Sequence, residues 1–141
     1  MLLLAGVGPL EQYYQKKIQK YHLEKHVQLL GYRDDVLKIL QITNLYVSMS
    51  KREGLPINIL EAKMAGVPLI VSNSRGQREL VQDHVNGFVI PCDDVLALQK
   101  YIKMIYENPK IPNEMTAHSK VGIEKYFLEN VEIEMKDIYQ V

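Results

Sequence analysis

The feature that most constrains the fold is an alternation of short apolar runs with longer amphipathic stretches along the chain. Leu2-Leu3-Leu4-Ala5 is the first run, and it ends in Gly6-Val7-Gly8-Pro9, a strong turn signal. From Pro9 to about Tyr21 the apolar positions Leu10, Tyr13, Tyr14, Ile18 and Tyr21 recur at helical spacing. Val27 to Leu30, closed by Gly31, predicts a second strand, after which Asp34 or Asp35 caps a helix carrying Val36, Leu37, Ile39 and Leu40. Leu45-Tyr46-Val47 predicts a third strand. A helix over Pro56–Ala65 follows, ended by Gly66, with a fourth strand at Val67–Val71. The loop Ser72–Gly76 leads to a short helix over Gln77–Val81, and the turn Asn86-Gly87 leads to a strand at Phe88–Ile90. Asp93 or Asp94 caps a helix with Val95, Leu98, Ile102 and Ile105 on one face. From about Asn113 the remainder reads as helix, ending near Tyr139.

Strands alternating with helices in this way predict a Rossmann-like parallel α/β sheet with helices on both faces, formed as one domain over residues 1–141. With 47% hydrophobic residues such a domain has a genuine core without a metal or disulfide staple. Basic and acidic residues number 17 each, so no bulk field draws the chain to nucleic acid. The single Cys92 excludes an internal disulfide and suits a reducing, cytoplasmic compartment. The opening apolar run is too short for a signal peptide or a membrane span, and it reads as a buried strand.

Parallel α/β sheets bind ligands beyond the carboxyl ends of their strands. Four loops qualify: Gly6–Pro9, Gly31–Asp35, Ser48–Pro56 and Ser72–Gly76. The third is the richest in chemistry. Glu53 lies just before a helix that begins near Pro56, and Glu61 lies within that helix, with seven residues between the two. Gly54 has no Cβ and lets the backbone approach a ligand closely. A helix start there leaves the amides of Ile57, Asn58 and Ile59 without partners, with about half a positive charge, which suits a phosphate or diphosphate. Glu61 then has the reach to accept hydrogen bonds from sugar hydroxyls attached to that phosphate. The same residues also fit an ordinary helix, with Glu53 as a favourable charge at its start and Glu61 solvated. The spacing alone names no ligand.

The block Glu53-Gly54-Leu55-Pro56-Ile57-Asn58-Ile59-Leu60-Glu61-Ala62, followed by Ala65-Gly66-Val67-Pro68, resembles the signature of the group 1 (family four) GT-B glycosyltransferases. Leu4–Leu10, Leu30–Val36 and Asn86–Pro91 match flanking pieces of that family in order, and Ser74–Val81 is similar to its surface-polysaccharide branch. The resemblance implies the donor-binding half of a retaining transferase that uses a UDP- or GDP-sugar, with no resident cofactor or metal. It implies that Glu53 faces the donor sugar as the catalytic carboxylate and that Glu61 binds the ribose. Backbone amides after Gly54, at Leu55 and Ile57, would meet the diphosphate or sugar beside Pro56, and Gly31, Tyr32 and Arg33 would border the base.

The family also supplies an Arg and a Lys to the diphosphate from a strand–helix segment before the one that opens this chain, and an amino-terminal acceptor domain before that. The resemblance therefore implies partners in an amino-terminal domain and a nucleotide sugar, peripheral membrane association of the full enzyme, and inactivity of this portion alone. Lys51, Arg52, Arg75 and Arg78 are nearby cations without a family counterpart. Lys63 replaces an apolar or small residue and is expected to snorkel along its helix. Val131, Met135 and Ile138 line one face of the last helix, an apolar patch suited to self-association. Tyr13, Tyr14, Tyr21, Tyr101 and Tyr106 fit packing roles on their helices. His22, His26, His84, His118 and Cys92 show no metal-ligand spacing. Gly6-Val7-Gly8 reads as a turn, because position 11 is Glu where a dinucleotide fingerprint needs Gly. Two rivals remain: a related epimerase, whose carboxylate and histidine arrangement is absent, and a non-catalytic α/β module.

Overall fold

Each apolar run becomes a strand and each amphipathic stretch a helix. The computed structural model describes residues 1–139 and shows a mixed α/β fold of parallel strands flanked by helices. The strands form two sheets, in two compact units that divide after Val36.

In the first unit β1 (Leu2–Ala5) pairs parallel with β2 (Val27–Gly31), and α1 (Glu11–Lys20) connects them. Leu2 lies opposite Val27 and Leu4 opposite Leu29; a register shift after Leu4 then sets Ala5 opposite Gly31. Helix α1 buries Ile18 and leaves Tyr13 and Tyr14 exposed, as is Tyr21 just beyond its end, so these tyrosines do not pack as expected. Lys17 instead lies over the Tyr13 ring and Lys20 over that of Tyr21.

In the second unit β3 (Tyr46–Ser48), β4 (Leu69–Ser72) and β5 (Gly87–Ile90) form a parallel sheet with β4 in the middle. All four β4 residues are fully buried, which is why Leu69-Ile70-Val71 shows no polar alternation. Ile70, Phe88 and Ile90 pack with Ile105 of α5 (Val95–Glu107) and Met115 of α6 (Lys110–Ala117). Tyr101 stacks on Phe88 with ring centres 4.2 Å apart, while Tyr106 is exposed. Asp94 caps α5, its carboxylate accepting from the Ala97 amide at 2.9 Å. Helix α2 (Val36–Gln41) precedes β3, and α3 (Ile57–Met64) joins β3 to β4.

Three local expectations are corrected. The short helix after β4, α4 (Arg75–Arg78), starts two residues earlier than Gln77, because the Ser74 carbonyl accepts from both the Gln77 and Arg78 amides. The C-terminal region is not one helix: α6 ends at Ala117, a 3₁₀ turn covers Glu124–Tyr126, and α7 (Leu128–Tyr139) follows. The break centres on Gly122, whose φ of +76° an L side chain rarely adopts, and it lets the chain turn inward to bury Ser119 and Ile123.

The third correction concerns Lys63. Ile59, Ala62 and Lys63 recur at helical i, i+3, i+4 spacing, so Lys63 falls on the buried stripe of α3 and is 1% exposed. It does not snorkel. Its Nζ donates to the Leu80 carbonyl at 2.5 Å and the Val121 carbonyl at 3.0 Å, tying α3 to the chain beyond α4 and to the C-terminal break. Burial holds its pKa below the ordinary value; nearby Glu124 opposes that shift and Lys125 adds to it.

Lys63→Ala, which leaves two carbonyls unpaired around a new cavity, is expected to lose about 2–4 kcal/mol of unfolding free energy. Because the folded-state pKa is depressed, the unfolded chain binds more protons as pH approaches 10.5, and the lysine's net contribution becomes more favourable as pH rises. Denaturant unfolding of the wild type and Lys63→Met, at neutral pH and just under 10.5, should show their difference moving in favour of the wild type. A difference independent of pH would contradict the burial of this ammonium.

Candidate functional site

The β3–α3 loop leaves the sheet at Ser48 and enters α3 at Ile57. Its root is fixed by a buried polar junction. The Gln77 carboxamide, 0% exposed, accepts from the Ser72 amide at 2.9 Å and donates to the Ser48 hydroxyl at 2.8 Å. The Ser72 hydroxyl donates to the Ser50 carbonyl at 2.6 Å. One side chain on α4 thereby joins the ends of β3 and β4, and Ser72 holds the start of the loop. Polar groups in such surroundings are costly unless paired, and here they are paired.

Pro56, itself buried, sits immediately before α3 and supplies no side-chain cap. Its carbonyl accepts from the Ile59 and Leu60 amides. The Asn58 side-chain oxygen also accepts from the Ile59 amide, so Ile59 is not one of the open donors the sequence reading assigned. Among the described residues the Ile57 and Asn58 amides have no acceptor, which leaves an uncapped helix start with its partial positive charge. Leu55 and Ile57 are exposed beside it. A Cβ built on Gly54 would meet nothing within 4 Å, so the outer face of the loop is open.

Glu53 and Glu61 are both half-buried. Asn58 and Glu61 share a face of α3 at i, i+3 spacing, and the Asn58 carboxamide donates to the Tyr46 hydroxyl at 2.8 Å. The Tyr46 phenol is held above its ordinary pKa of 10.0, first by burial and then by the negative charges of Glu61 and Glu53, while the bond from Asn58 works the other way. Both carboxylates thus act on one phenol beside the open helix start. Tyr46, Gln77 and the side chain of Asn58 went unremarked as site features in the sequence, where Asn58 counts only for its backbone amide; Tyr46 reads there only as an apolar strand residue.

The cations are less available than the sequence implies. Lys51 pairs with Asp93 at 2.7 Å, and Arg75 with Glu79 at 3.1 Å. Arg52 and Arg78 are exposed and carry no ion pair among the described residues. In the first unit Tyr32 is 78% exposed after Gly31, and Arg33 is held by Asp35 through two bonds of 2.8 and 2.7 Å. That unit also has a cleft of about 300 Å³ at the end of β1, lined by Leu4, Pro9, Leu10, Tyr14 and Leu29 with Glu11. Its walls are almost entirely apolar, so the convergent polar groups of α3 make the better ligand site. Among the described residues no group of three or more His, Cys, Asp or Glu is placed to hold a metal.

A parallel sheet feeding an uncapped helix flanked by carboxylates is the arrangement of α/β domains that receive anionic ligands at their strand ends. Residues 1–121 match the family described as glycosyl transferases group 1, and the chain belongs to that family. It is 32% identical to EpsD of Bacillus subtilis over 138 residues, covering 98% of this chain and 36% of EpsD. Over 74 residues, 52% of this chain, it is 42% identical to an Escherichia coli galactosyltransferase, of which that stretch is 19%. That enzyme is named for transfer from UDP-Gal to GlcNAc-diphosphoundecaprenol. Anabaena HepE, solved with UDP and glucose, superimposes with a TM-score of 0.81 at 25% identity, over 98% of this chain and 39% of HepE. The pneumococcal O-GlcNAc transferase GtfA, solved with UDP and GlcNAc, gives 0.80 at 26% identity, over 98% of this chain and 29% of GtfA. The chain thus spans well under half the length of these relatives.

The site makes one ligand-free prediction. Glu61→Gln removes the stronger of the two charges on the Tyr46 phenol and should lower its pKa, so that the ring ionises at a lower pH, followed by NMR of the ring at high pH. An unchanged Tyr46 titration would place Glu61 away from that phenol.

Proposed function

We propose that this chain binds a nucleoside diphosphate sugar, as the donor half of a retaining glycosyltransferase acting in polysaccharide or glycolipid synthesis. The observation that carries the reading is the pair of open amides, Ile57 and Asn58, with Glu53 and Glu61 beside them. The diphosphate lies at the α3 start, where unpaired donors and the helix dipole stabilise its charge as the sugar leaves. Glu61, a turn further along, accepts hydrogen bonds from the ribose hydroxyls. Glu53, before the helix, faces the donor sugar. The amide of Leu55 and the bare backbone of Gly54 border the sugar phosphate. The UDP in the HepE and GtfA complexes supports uracil as the base.

Residues 1–141 act as one donor-binding domain, with an acceptor-binding amino-terminal domain completing the enzyme; this portion alone does not turn over. Arg52 and Arg78, exposed and without an ion pair among the described residues, are candidate cations for the diphosphate. The acceptor is a polysaccharide or a lipid-linked sugar, as the name of the Escherichia coli relative suggests. No helix among the described residues is long and apolar enough to cross a membrane. The reading places the enzyme in the cytoplasm, peripheral to the membrane, with the exposed Met135 and Ile138 face of α7 available for self-association.

Calorimetric titration of the chain with UDP, GDP and their hexose conjugates tests this reading, beside Glu61→Ala. Saturable binding of UDP is expected, weakened roughly 10- to 100-fold in the variant by loss of charge-assisted hydrogen bonds of about 1.5–3 kcal/mol. Absence of binding to every nucleotide, or equal affinity in wild type and Glu61→Ala, would refute it.

A further inference from the structure

Gly76 is buried in α4 and has no left-handed φ. Conformational freedom therefore does not explain a glycine there, and an alanine would suit the helix better. Space does explain it. A Cβ built on Gly76 would lie 2.2 Å from the Gly54 carbonyl oxygen, 2.7 Å from the Glu53 carbonyl oxygen and 3.0 Å from the Gly54 carbonyl carbon. All three are backbone atoms, so no flexible side-chain end can swing aside. The backbone that carries Glu53 rests directly on this glycine.

The direction in which an added methyl would push follows from what holds each side. Helix α4 is pinned by Gln77, whose buried carboxamide joins the ends of β3 and β4. The Glu53–Gly54 segment has an open outer face, since a Cβ on Gly54 meets nothing within 4 Å. Helix α3 is anchored separately, through fully buried Ile59 and Ala62 and the Lys63 bonds. A methyl at position 76 therefore displaces the loop outward while α4 and α3 stay in place.

We propose that Gly76, backed by the Gln77 clamp, is a positioning residue that sets the height of the Glu53–Gly54 backbone and so governs recognition of the donor's sugar separately from its nucleotide. This rests on the reading of α3 as the donor site. Gly76 touches no ligand; it acts through the loop. Glu53, with Gly54 and the Leu55 amide on the sugar side of the donor, moves with that loop, whereas Glu61 and the Ile57 and Asn58 amides, which hold the ribose and the diphosphate, belong to α3. A larger residue at 76 should then cost sugar recognition and leave nucleotide affinity intact.

The test compares wild type with Gly76→Ala in two measurements. The first uses no ligand: backbone amide spectra should show Glu53 and Gly54 shifted in the variant, with Ile59 and Ala62 unmoved. The second is titration with UDP and with UDP-glucose. UDP affinity should be retained, while the ratio of UDP-glucose to UDP affinity falls about tenfold, the scale of losing charge-assisted hydrogen bonds. Glu53→Gln should lower that ratio in the wild type and leave it unchanged in the Gly76→Ala background. If Gly76→Ala does not fold, Gln77→Met keeps the volume, releases the clamp and should lower the same ratio. Unmoved Glu53 and Gly54 amides, or an unchanged ratio in a folded variant, would overturn the proposal. Shifted loop amides in a wild type and variant that bind no UDP would instead overturn the donor reading and leave the steric coupling standing.

Discussion

The site depends on the burial of β4 between two parallel neighbours. A central parallel strand has no face toward water, so both of its ends must be closed by something other than solvent. At its carboxyl end the closure is Gln77, which accepts from the Ser72 amide and reaches the Ser48 hydroxyl on the neighbouring strand. That requirement brings α4 against the root of the β3–α3 loop and leaves Gly76 as the only size of residue that fits beneath Glu53 and Gly54. The position of a candidate catalytic carboxylate thus descends from the need to satisfy one buried amide.

The electrostatics follow from the same frame. Two half-buried carboxylates flank a helix start whose first amides are open, and a half-buried phenol feels both charges. Such an arrangement suits a ligand that is negative at one end and rich in hydroxyls at the other. Lys51 and Arg75 are already engaged by Asp93 and Glu79, so much of the positive character here comes from the α3 backbone. Exposed pairs of this kind contribute little to stability, but they do reduce the charge a ligand meets.

Much of this was legible in the sequence because it is local. Apolar runs separated by amphipathic stretches gave the order of β1 to β5, and the Glu-Gly-Leu-Pro loop before a helix located the open amides. What was not legible depends on distant partners. Lys63 reads as a snorkelling helix residue until Ile59 and Ala62 fix which face of α3 is buried, and its acceptors at Leu80 and Val121 lie far along the chain. Gly76 reads as the end of a polar loop and Gln77 as the start of a short helix, because nothing local announces the Gly54 carbonyl or the Ser48 hydroxyl they meet. The C-terminal region carries helical composition on both sides of Gly122, and only the burial of Ile123 shows that the chain turns there.

The central claim is that the first amides of α3 receive a diphosphate. Amide-resolved NMR of the chain during addition of UDP, with uridine as the comparison, tests it most directly. The account predicts that the Ile57 and Asn58 amides shift strongly with UDP and little with uridine, since only UDP carries the anion. Equal shifts with both ligands, or no shift at these two amides while UDP binds elsewhere, would contradict it.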